Sequence, residues 1–167
     1  RFLMYKQDAL PPAHLLRHVF ETAKTYEEAK KLLAETPVSI PVIYILSGIK
    51  ENEGCVIERT ESSAHIRELA DNDNIAAANH FSPQLASNAI DWRSRGLGRF
   101  RGVDSYARAN MMCGLDKNNI TADEFDWFQY PVANYLTRLV VITNATTTSL
   151  KVMGTNAEKP VTEVFKL

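Results

Sequence analysis

The fold class is indicated most clearly by residues 41–69, PVIYILSGIKENEGCVIERTESSAHIREL. It contains three segments rich in apolar and β-branched residues, at 41–48, 54–60 and 64–69, and short polar connections separate them. Such segments are typical of β-strands, and connections this short join antiparallel neighbours, because a parallel pairing needs a crossover of about a dozen residues. The stretch therefore predicts an antiparallel sheet, which NIAAANHF, residues 74–81, extends by a further strand.

The residues before this sheet have the periodicity of amphipathic helices. In AHLLRHVFETAKTYEEAKKLLAETP, residues 13–37, apolar side chains recur at the three- and four-residue spacing of one helical face. Thr25 followed by Glu28 is a capping box, a pattern with which helices begin. The sequence thus predicts two helices, at about residues 12–24 and 26–35.

Beyond the sheet, residues 82–103 have no regular periodicity and are predicted to form a long loop. Asp104 and Ser105 are predicted to cap the helix that follows, and a shorter helix is expected at residues 121–125.

Three strand candidates end the chain: LTRLVVITNA at 136–145, TTSLKVMG at 147–154 and PVTEVFKL at 160–167. The order of helices, strands, helices and strands favours the α+β class, with helices packed on antiparallel sheets. We expect residues 1–167 to form a single domain.

Composition and charge exclude several classes of protein. The 167 residues are 45% hydrophobic and 23% charged, and the formal net charge is −1. This charge gives no global attraction to nucleic acid or to a lipid surface, and no apolar run reaches the roughly 20 residues that span a bilayer. We therefore expect no nucleic-acid partner and no membrane span, while the cellular compartment stays open.

An arginine-rich stretch, DWRSRGLGRFRGVDSYAR, occupies residues 91–108. Arginines interleaved with aromatic rings are typical of surfaces that bind phosphates and stack on bases. Asp91 and Asp104 bracket the run, however, and the rest of the chain is not basic. A solvated loop and a carboxylate-binding lid are therefore the alternative interpretations. The arginines of this stretch are Arg93, Arg95, Arg99, Arg101 and Arg108.

The remaining reactive side chains do not form a complete catalytic or metal-binding motif. His14 and His18 are four residues apart on a predicted helix, but the glutamate of an HExxH motif and a third ligand are missing. We interpret them as the polar edge of the helix, and we expect no metal ion and no cofactor. Cys55 and Cys113 both have apolar neighbours, so we expect them to be small buried side chains and not nucleophiles.

In the segment AAANHFSPQL, residues 76–85, three alanines are followed directly by the polar pair Asn79 and His80. Polar residues at the end of a strand can simply meet water. Alternatively, the small alanine side chains leave room for Asn79 to point its amide into a pocket. Composition does not choose between the two interpretations.

Several pieces of the chain, in this order and at this spacing, resemble the C-terminal part of the acyltransferase and amidase group of N-terminal-nucleophile hydrolases. The pieces are EEAKKLLAETP, PVIYILSG, EGCVIER, IAAANHF and DSYAR, and the resemblance spans roughly residues 12–154. That group includes acid ceramidase, N-acylethanolamine amidase, isopenicillin-N acyltransferase and choloylglycine hydrolase. The resemblance implies that the chain is part of an αββα sandwich with antiparallel sheets, and that it serves hydrolysis or acyl transfer at a linear amide bond.

The resemblance also implies roles for individual residues. In such enzymes a cysteine that self-cleavage exposes at the N-terminus attacks the amide, and an asparagine N–H stabilises the oxyanion. Asn79 in IAAANHF occupies the place of that asparagine. Arg108 in DSYAR most nearly matches the active-site arginine, with Arg99 and Arg101 as competitors. His80, Arg99 and Arg101 are the expected substrate-binding residues.

The chain begins with Arg1, so the resemblance places the nucleophilic cysteine upstream of it. We expect the chain to be the C-terminal portion of a longer precursor and to be inactive alone. The expected partners are the N-terminal half of that precursor and a small-molecule amide substrate, and association with a second copy of the chain stays open. Two alternatives remain: a non-catalytic binding module of the same fold, and an α+β domain whose arginine-rich loop binds anionic ligands.

Overall fold

The computed structural model describes residues 9–70, 73–82, 104–116, 125–156 and 159–167. The chain divides into two compact units, of which unit 1 comprises Arg1–Asp71 and Phe81–Asp91. Unit 2 comprises Asn72–His80 and Trp92–Leu167. The assignment of the whole chain to one domain stays a prediction.

Unit 1 begins with two helices, and proline and polar side chains set their first residues. Helix α1 spans Pro12–Thr22, with proline at a position where the missing N–H would have no helical partner. Helix α2 spans Tyr26–Glu35, and the Thr25 Oγ1 accepts the Glu28 N–H at 3.1 Å. The Glu28 carboxylate in turn accepts the Lys24 N–H at 2.8 Å. Both predicted helices are confirmed, with α1 ending at Thr22 and not at residue 24.

The sheet of unit 1 has the strand order β1-β2-β3, and all its pairings are antiparallel. Strand β1 spans Val42–Ser47, β2 spans Gly54–Arg59 and β3 spans Ala64–Glu68. Every residue of the central strand β2 is buried. The core contains residues of both helices, of β1 and β2, and of the connection between α2 and β1, namely Leu15, Val19, Ala29, Leu33, Val38, Tyr44, Cys55 and Ile57. The sheet predicted for residues 41–69 is thus confirmed, and with it the α+β class.

The last residue of β2, Arg59, is buried although it is charged. Its Nη1 donates to the carbonyl of Leu33, and its Nη2 donates to the carbonyl of Thr36 at 2.9 Å. These are carbonyl groups at the C-terminal end of α2, where the helix dipole favours a cation. Burial lowers the pKa of Arg59, against the influence of Tyr44. The guanidinium therefore ties α2 to the central strand.

The neighbouring Glu58 is buried too, and hydrogen bonds offset the cost of removing its carboxylate from water. It accepts from the Arg67 Nε at 3.3 Å, from the Ser82 N–H at 2.9 Å and from the Ser82 hydroxyl at 2.5 Å. A buried carboxylate needs such partners because its desolvation is costly. Glu58 therefore anchors the chain at Ser82.

Unit 2 contains helix α3, Ser105–Cys113, and a second antiparallel sheet. Its strands are β4 Leu139–Asn144, β5 Ser149–Asn156, β6 Lys159–Pro160 and β7 Phe165–Lys166. Strands β4 and β5 form a hairpin, while β6 and β7 both pair with β5. The strands predicted at 136–145 and 147–154 are confirmed.

The strand predicted at 160–167 is present only as the short strands β6 and β7. Between them, the Thr162 hydroxyl accepts the Gly154 N–H at 2.9 Å. Pro160 has no N–H to contribute to a ladder. A continuous strand is therefore interrupted at this point.

The strand predicted at residues 74–81 is wrong, because this segment forms no strand. Alanine and asparagine are poor strand formers, and the N–H of Asn79 is bonded to the side chain of Ser105. Apart from Ser82 and Phe125, the predicted loop at 82–103 and the short helix at 121–125 lie outside the described residues. None of the helices in the described ranges is long and apolar enough to traverse a bilayer.

Candidate functional site

Residues 74–79 lie along helix α3. The Asn74 Nδ2 donates to the carbonyls of Cys113, at 3.3 Å, and Leu115, at 2.5 Å. At the other end the Asn79 N–H donates to the Ser105 Oγ at 2.7 Å. Since Ser105 begins α3 and Cys113 ends it, the segment runs antiparallel to the helix. Five extended residues reach roughly 17 Å, which is enough for the roughly 12 Å of helix rise between these two residues.

The first turn of α3 is capped by Asp104, as the sequence predicted. The Asp104 Oδ1 accepts the N–H groups of Tyr106, at 2.9 Å, and Ala107, at 3.3 Å. This cap fixes the start of the helix and hence the directions of its first side chains. Ser105 and Arg108 are three residues apart, so they project from the same face of the helix.

From that face Arg108 contacts Asn79 directly. The Arg108 Nη2 donates a hydrogen bond of 2.6 Å to the Asn79 Oδ1. Because a guanidinium has only donors, the amide oxygen of Asn79 is the atom that it can bind. The amide NH₂ of Asn79 then points away from the guanidinium. Asn79 is exposed, and its two N–H groups can be donated to an incoming oxygen atom.

Arg108 itself is half-buried. Burial lowers the pKa of its guanidinium, and the nearby Asp104 carboxylate opposes that shift. Arginine remains a cation in proteins, so the site has a positive charge next to the Asn79 amide. Within the described ranges the buried Arg108 Nε has no hydrogen-bond partner, and the same holds there for the Trp127 Nε1.

His80 is held by the first two residues of α3. Its Nδ1 lies 2.7 Å from the Ser105 Oγ, and its ring stacks on Tyr106 with centroids 3.7 Å apart and planes at 15°. Since the Ser105 Oγ already accepts the Asn79 N–H, its own proton can be donated to the His80 Nδ1. Asn79 and His80 are thus anchored together by α3. A role of His80 in substrate binding stays a prediction.

A cavity of about 320 Å³ in unit 2 adjoins this arrangement. Arg108 lines it together with Ala77 and Ala78, the two alanines before Asn79. Its other walls are mainly apolar and consist of Met112, Trp127, Phe128, Val132, Asn134, Thr137, Leu139, Val140 and Val141. Asn79 does not line the cavity, so the alanines border it while the amide lies beside it. The volume is that of a small ligand pocket.

The two cysteines occupy different environments. Cys55 lies in the core of unit 1, where burial raises the pKa of its thiol, so the reactive thiolate is disfavoured. Cys113 is exposed, and the prediction that it is buried is wrong. It ends α3, roughly 12 Å of helix rise from Ser105, the residue that binds Asn79. Burial therefore argues against Cys55 as a nucleophile, and the distance along α3 argues against Cys113 as one that attacks beside the Asn79 amide.

The structure therefore brings together Asn79, His80 and Arg108, three of the five predicted site residues. The other two, Arg99 and Arg101, lie outside the described residues. His14 and His18 lie on the exposed face of α1. In the described part of the chain no group of three histidine, cysteine, aspartate or glutamate side chains could hold a metal ion.

Sequence reasoning missed two contributors, Ser105 and Tyr106. The sequence indicates Ser105 only as part of a helix cap, although Ser105 precedes Arg108 by the three residues that place both on one helical face. That spacing is the signal that could have identified Ser105. Tyr106 carries no comparable signal, because its contact with His80 depends on the tertiary structure.

Residues 4–140 match the family model of acyl-coenzyme A:6-aminopenicillanic acid acyl-transferase. Among curated proteins the chain is similar to acid ceramidase of Pan troglodytes, at 43% identity over 58 residues, which are 35% of this chain and 15% of that protein. Acid ceramidase of Heterocephalus glaber is 42% identical over 69 residues, 41% of this chain and 18% of that protein. Acid ceramidase of Mus musculus is 46% identical over 59 residues, 34% and 15% respectively. The chain thus spans less than a fifth of the length of these relatives.

Proposed function

Because this chain belongs to the acyl-coenzyme A:6-aminopenicillanic acid acyl-transferase family, we propose that it provides part of a site for cleaving linear amide bonds. In this proposal the complete protein hydrolyses an N-acyl amide or transfers its acyl group. The family is one of N-terminal-nucleophile acyltransferases and amidases, and the acid ceramidases that the chain resembles are enzymes. The observation that carries the proposal is the bond between Arg108 and Asn79, which orients the Asn79 amide as a donor.

The nucleophile in this proposal is a cysteine outside these 167 residues, exposed as an N-terminus by self-cleavage. Its α-amine, with a pKa near 8, takes the thiol proton, and the sulfur attacks the carbonyl carbon of the amide. The carbonyl oxygen becomes an oxyanion, and the carbon–nitrogen bond then breaks as the amine leaves with a proton. Water, or an acceptor amine, finally removes the acyl group from sulfur.

In this reaction Asn79 stabilises the oxyanion. A neutral amide N–H held in place stabilises the charge that develops in the transition state, and loss of one such donor typically costs roughly 3 to 4 kcal/mol. The exposure of Asn79 leaves its N–H groups open to the reacting carbonyl. Arg108 contributes by fixing the amide orientation and by adding positive charge nearby.

The cavity suggests where the apolar part of a substrate lies. Its walls are mainly aliphatic and aromatic, it has about 320 Å³ of space, and Arg108 links it to the Asn79 amide. We assign this space to the apolar portion of the acyl group, because an apolar pocket bordered by a few polar groups binds such a group and fixes its orientation.

The experiment uses the complete protein, including residues upstream of Arg1, and compares it with the 167-residue chain alone. Both are assayed on N-acyl amides of increasing chain length, and the acylated residue is located by mass spectrometry after a rapid acid quench. The proposal expects turnover only by the complete protein, with the acyl group on a cysteine upstream of this chain. Turnover by the chain alone, or acylation of Cys55 or Cys113, contradicts it.

A further inference from the structure

We propose that Ser105 is a positioning residue of this site, which sets the place of Asn79 and His80 through its hydroxyl group. The inference rests on the proposed function, because it assigns Ser105 a task in orienting the oxyanion donor. It concerns a residue that would touch neither substrate nor nucleophile. Its influence on the reaction passes through Asn79.

The contacts of Ser105 differ from those of an ordinary residue in the first turn of a helix. Its Oγ accepts the Asn79 N–H at 2.7 Å and lies 2.7 Å from the His80 Nδ1. The cap of α3 is provided by Asp104, whose Oδ1 accepts two N–H groups of the first turn. The Ser105 hydroxyl is therefore engaged with the Asn79–His80 pair and not with its own helix.

Ser105 and Arg108 hold the two ends of Asn79 from one helical face. Ser105 binds the backbone N–H, and Arg108 binds the side-chain oxygen at 2.6 Å. With both ends held, the direction of the amide NH₂ is defined relative to α3. With the serine contact removed, the arginine alone holds an exposed side chain whose backbone can shift.

The contacts of His80 further restrain the backbone at Asn79. Its ring stacks on Tyr106 with centroids 3.7 Å apart, and its Nδ1 lies 2.7 Å from the Ser105 Oγ that also accepts the Asn79 N–H, so these contacts limit the rotation of the ring. The backbone that joins Asn79 to His80 is thereby held on both sides of the peptide bond. Catalytic geometry must be kept within about 0.5 Å, and a misplacement of about 1 Å can lower a rate about 100-fold.

The central test is Ser105→Ala in the complete protein, measured as kcat and KM on an N-acyl amide. We expect kcat to fall about 10- to 100-fold, while KM changes less than about twofold, because donor alignment matters mainly in the transition state. Ser105→Thr keeps the hydroxyl and should recover most of the lost kcat. The matched control is Ser63→Ala, which removes another bonded hydroxyl, the partner of the Thr60 Oγ1 at 2.6 Å, and should leave kcat unchanged.

A double variant distinguishes positioning from a general effect on folding. In an Asn79→Ala background, Ser105→Ala should lower kcat no further, since the donor that it aligns is already absent. Additive losses in the double variant overturn the inference, as does a wild-type kcat in Ser105→Ala. A Ser105→Thr enzyme as slow as Ser105→Ala overturns it as well.

Hydrogen exchange of the Asn79 amide in the unmodified protein gives a test that needs no variant. Slow exchange supports the bond to Ser105, and exchange as fast as in an unfolded peptide refutes it. If Asn79→Ala retains full kcat, the proposed function fails and this inference fails with it. If Asn79→Ala loses activity while Ser105→Ala does not, only the positioning role is refuted.

Discussion

Replacing Arg108 by alanine should slow the proposed amide cleavage without abolishing it. The structure gives Arg108 one hydrogen bond to Asn79, of 2.6 Å between Nη2 and Oδ1. A bond to a charged group contributes roughly 1.5 to 3 kcal/mol, and the exposure of Asn79 places this one toward the lower end. At about 1.4 kcal/mol for each factor of ten, kcat should fall roughly 10- to 100-fold.

The measurement is the steady-state rate of the complete protein on an N-acyl amide, with urea unfolding as a check on stability. Arg108→Lys retains a cation but loses the planar fork, so its kcat should lie between those of the wild type and Arg108→Ala. The matched control is Arg138→Ala, because Arg138 is an exposed arginine of unit 2 that binds the carbonyls of Tyr135 and Thr137. Arg138→Ala should keep kcat within about twofold. A wild-type kcat in Arg108→Ala, or a change confined to KM, would refute the reasoning.

Three further predictions concern stability and reactivity. Glu58→Ala removes an acceptor from the half-buried Ser82 and Arg67, so the free energy of unfolding in urea should fall by about 2 kcal/mol. A loss below about 0.5 kcal/mol, the size expected for the exposed control Glu51→Ala, contradicts the role of Glu58 as an anchor. A thiol reagent should label Cys113 in the native protein and Cys55 only after unfolding, since Cys113 is exposed and Cys55 is buried, and equal labelling rates would disprove this difference. Burial raises the pKa of the Cys55 thiol, so the unfolded chain loses the thiol proton at a lower pH than the folded chain does. The free energy of unfolding should therefore decline as the pH rises above about 9. Cys55→Ala should reduce this decline, and an identical pH profile in that variant would exclude Cys55 as the cause of the decline.

The elements with strong local signals were predictable from sequence. Helix α2 begins at the Thr25 capping box, and β1, β2 and β3 follow the apolar segments between polar turns. In each case the residues that decide the structure are close together in the chain. Local propensity and local hydrogen bonding therefore agree with the final fold.

Segments whose partners are distant in sequence were not predictable in this way. Residues 74–79 have the apolar character of a strand, yet Asn74 and Asn79 bind the two ends of α3. Cys113 has apolar neighbours but lies on an exposed part of α3, which the sequence alone does not reveal. Tertiary contacts determined both outcomes.

The candidate site was predictable only in part. The family resemblance identified Asn79 and Arg108, and the structure places them in contact. The resemblance did not identify Ser105, whose bond to Asn79 joins residues 26 positions apart in the chain. Such a contact has no local pattern, so it becomes visible only when α3 and the segment before it are seen together.

The central claim is that Asn79 stabilises the oxyanion of an amide-cleaving reaction. The most direct test is the kcat of Asn79→Ala in the complete protein, compared with Asn144→Ala, which removes an asparagine whose side chain accepts the Thr147 N–H in a turn. The account predicts a loss of roughly 100- to 1000-fold in kcat with a nearly unchanged KM for Asn79→Ala, and little change in the control. Equal kcat values for the two variants would contradict the oxyanion role of Asn79.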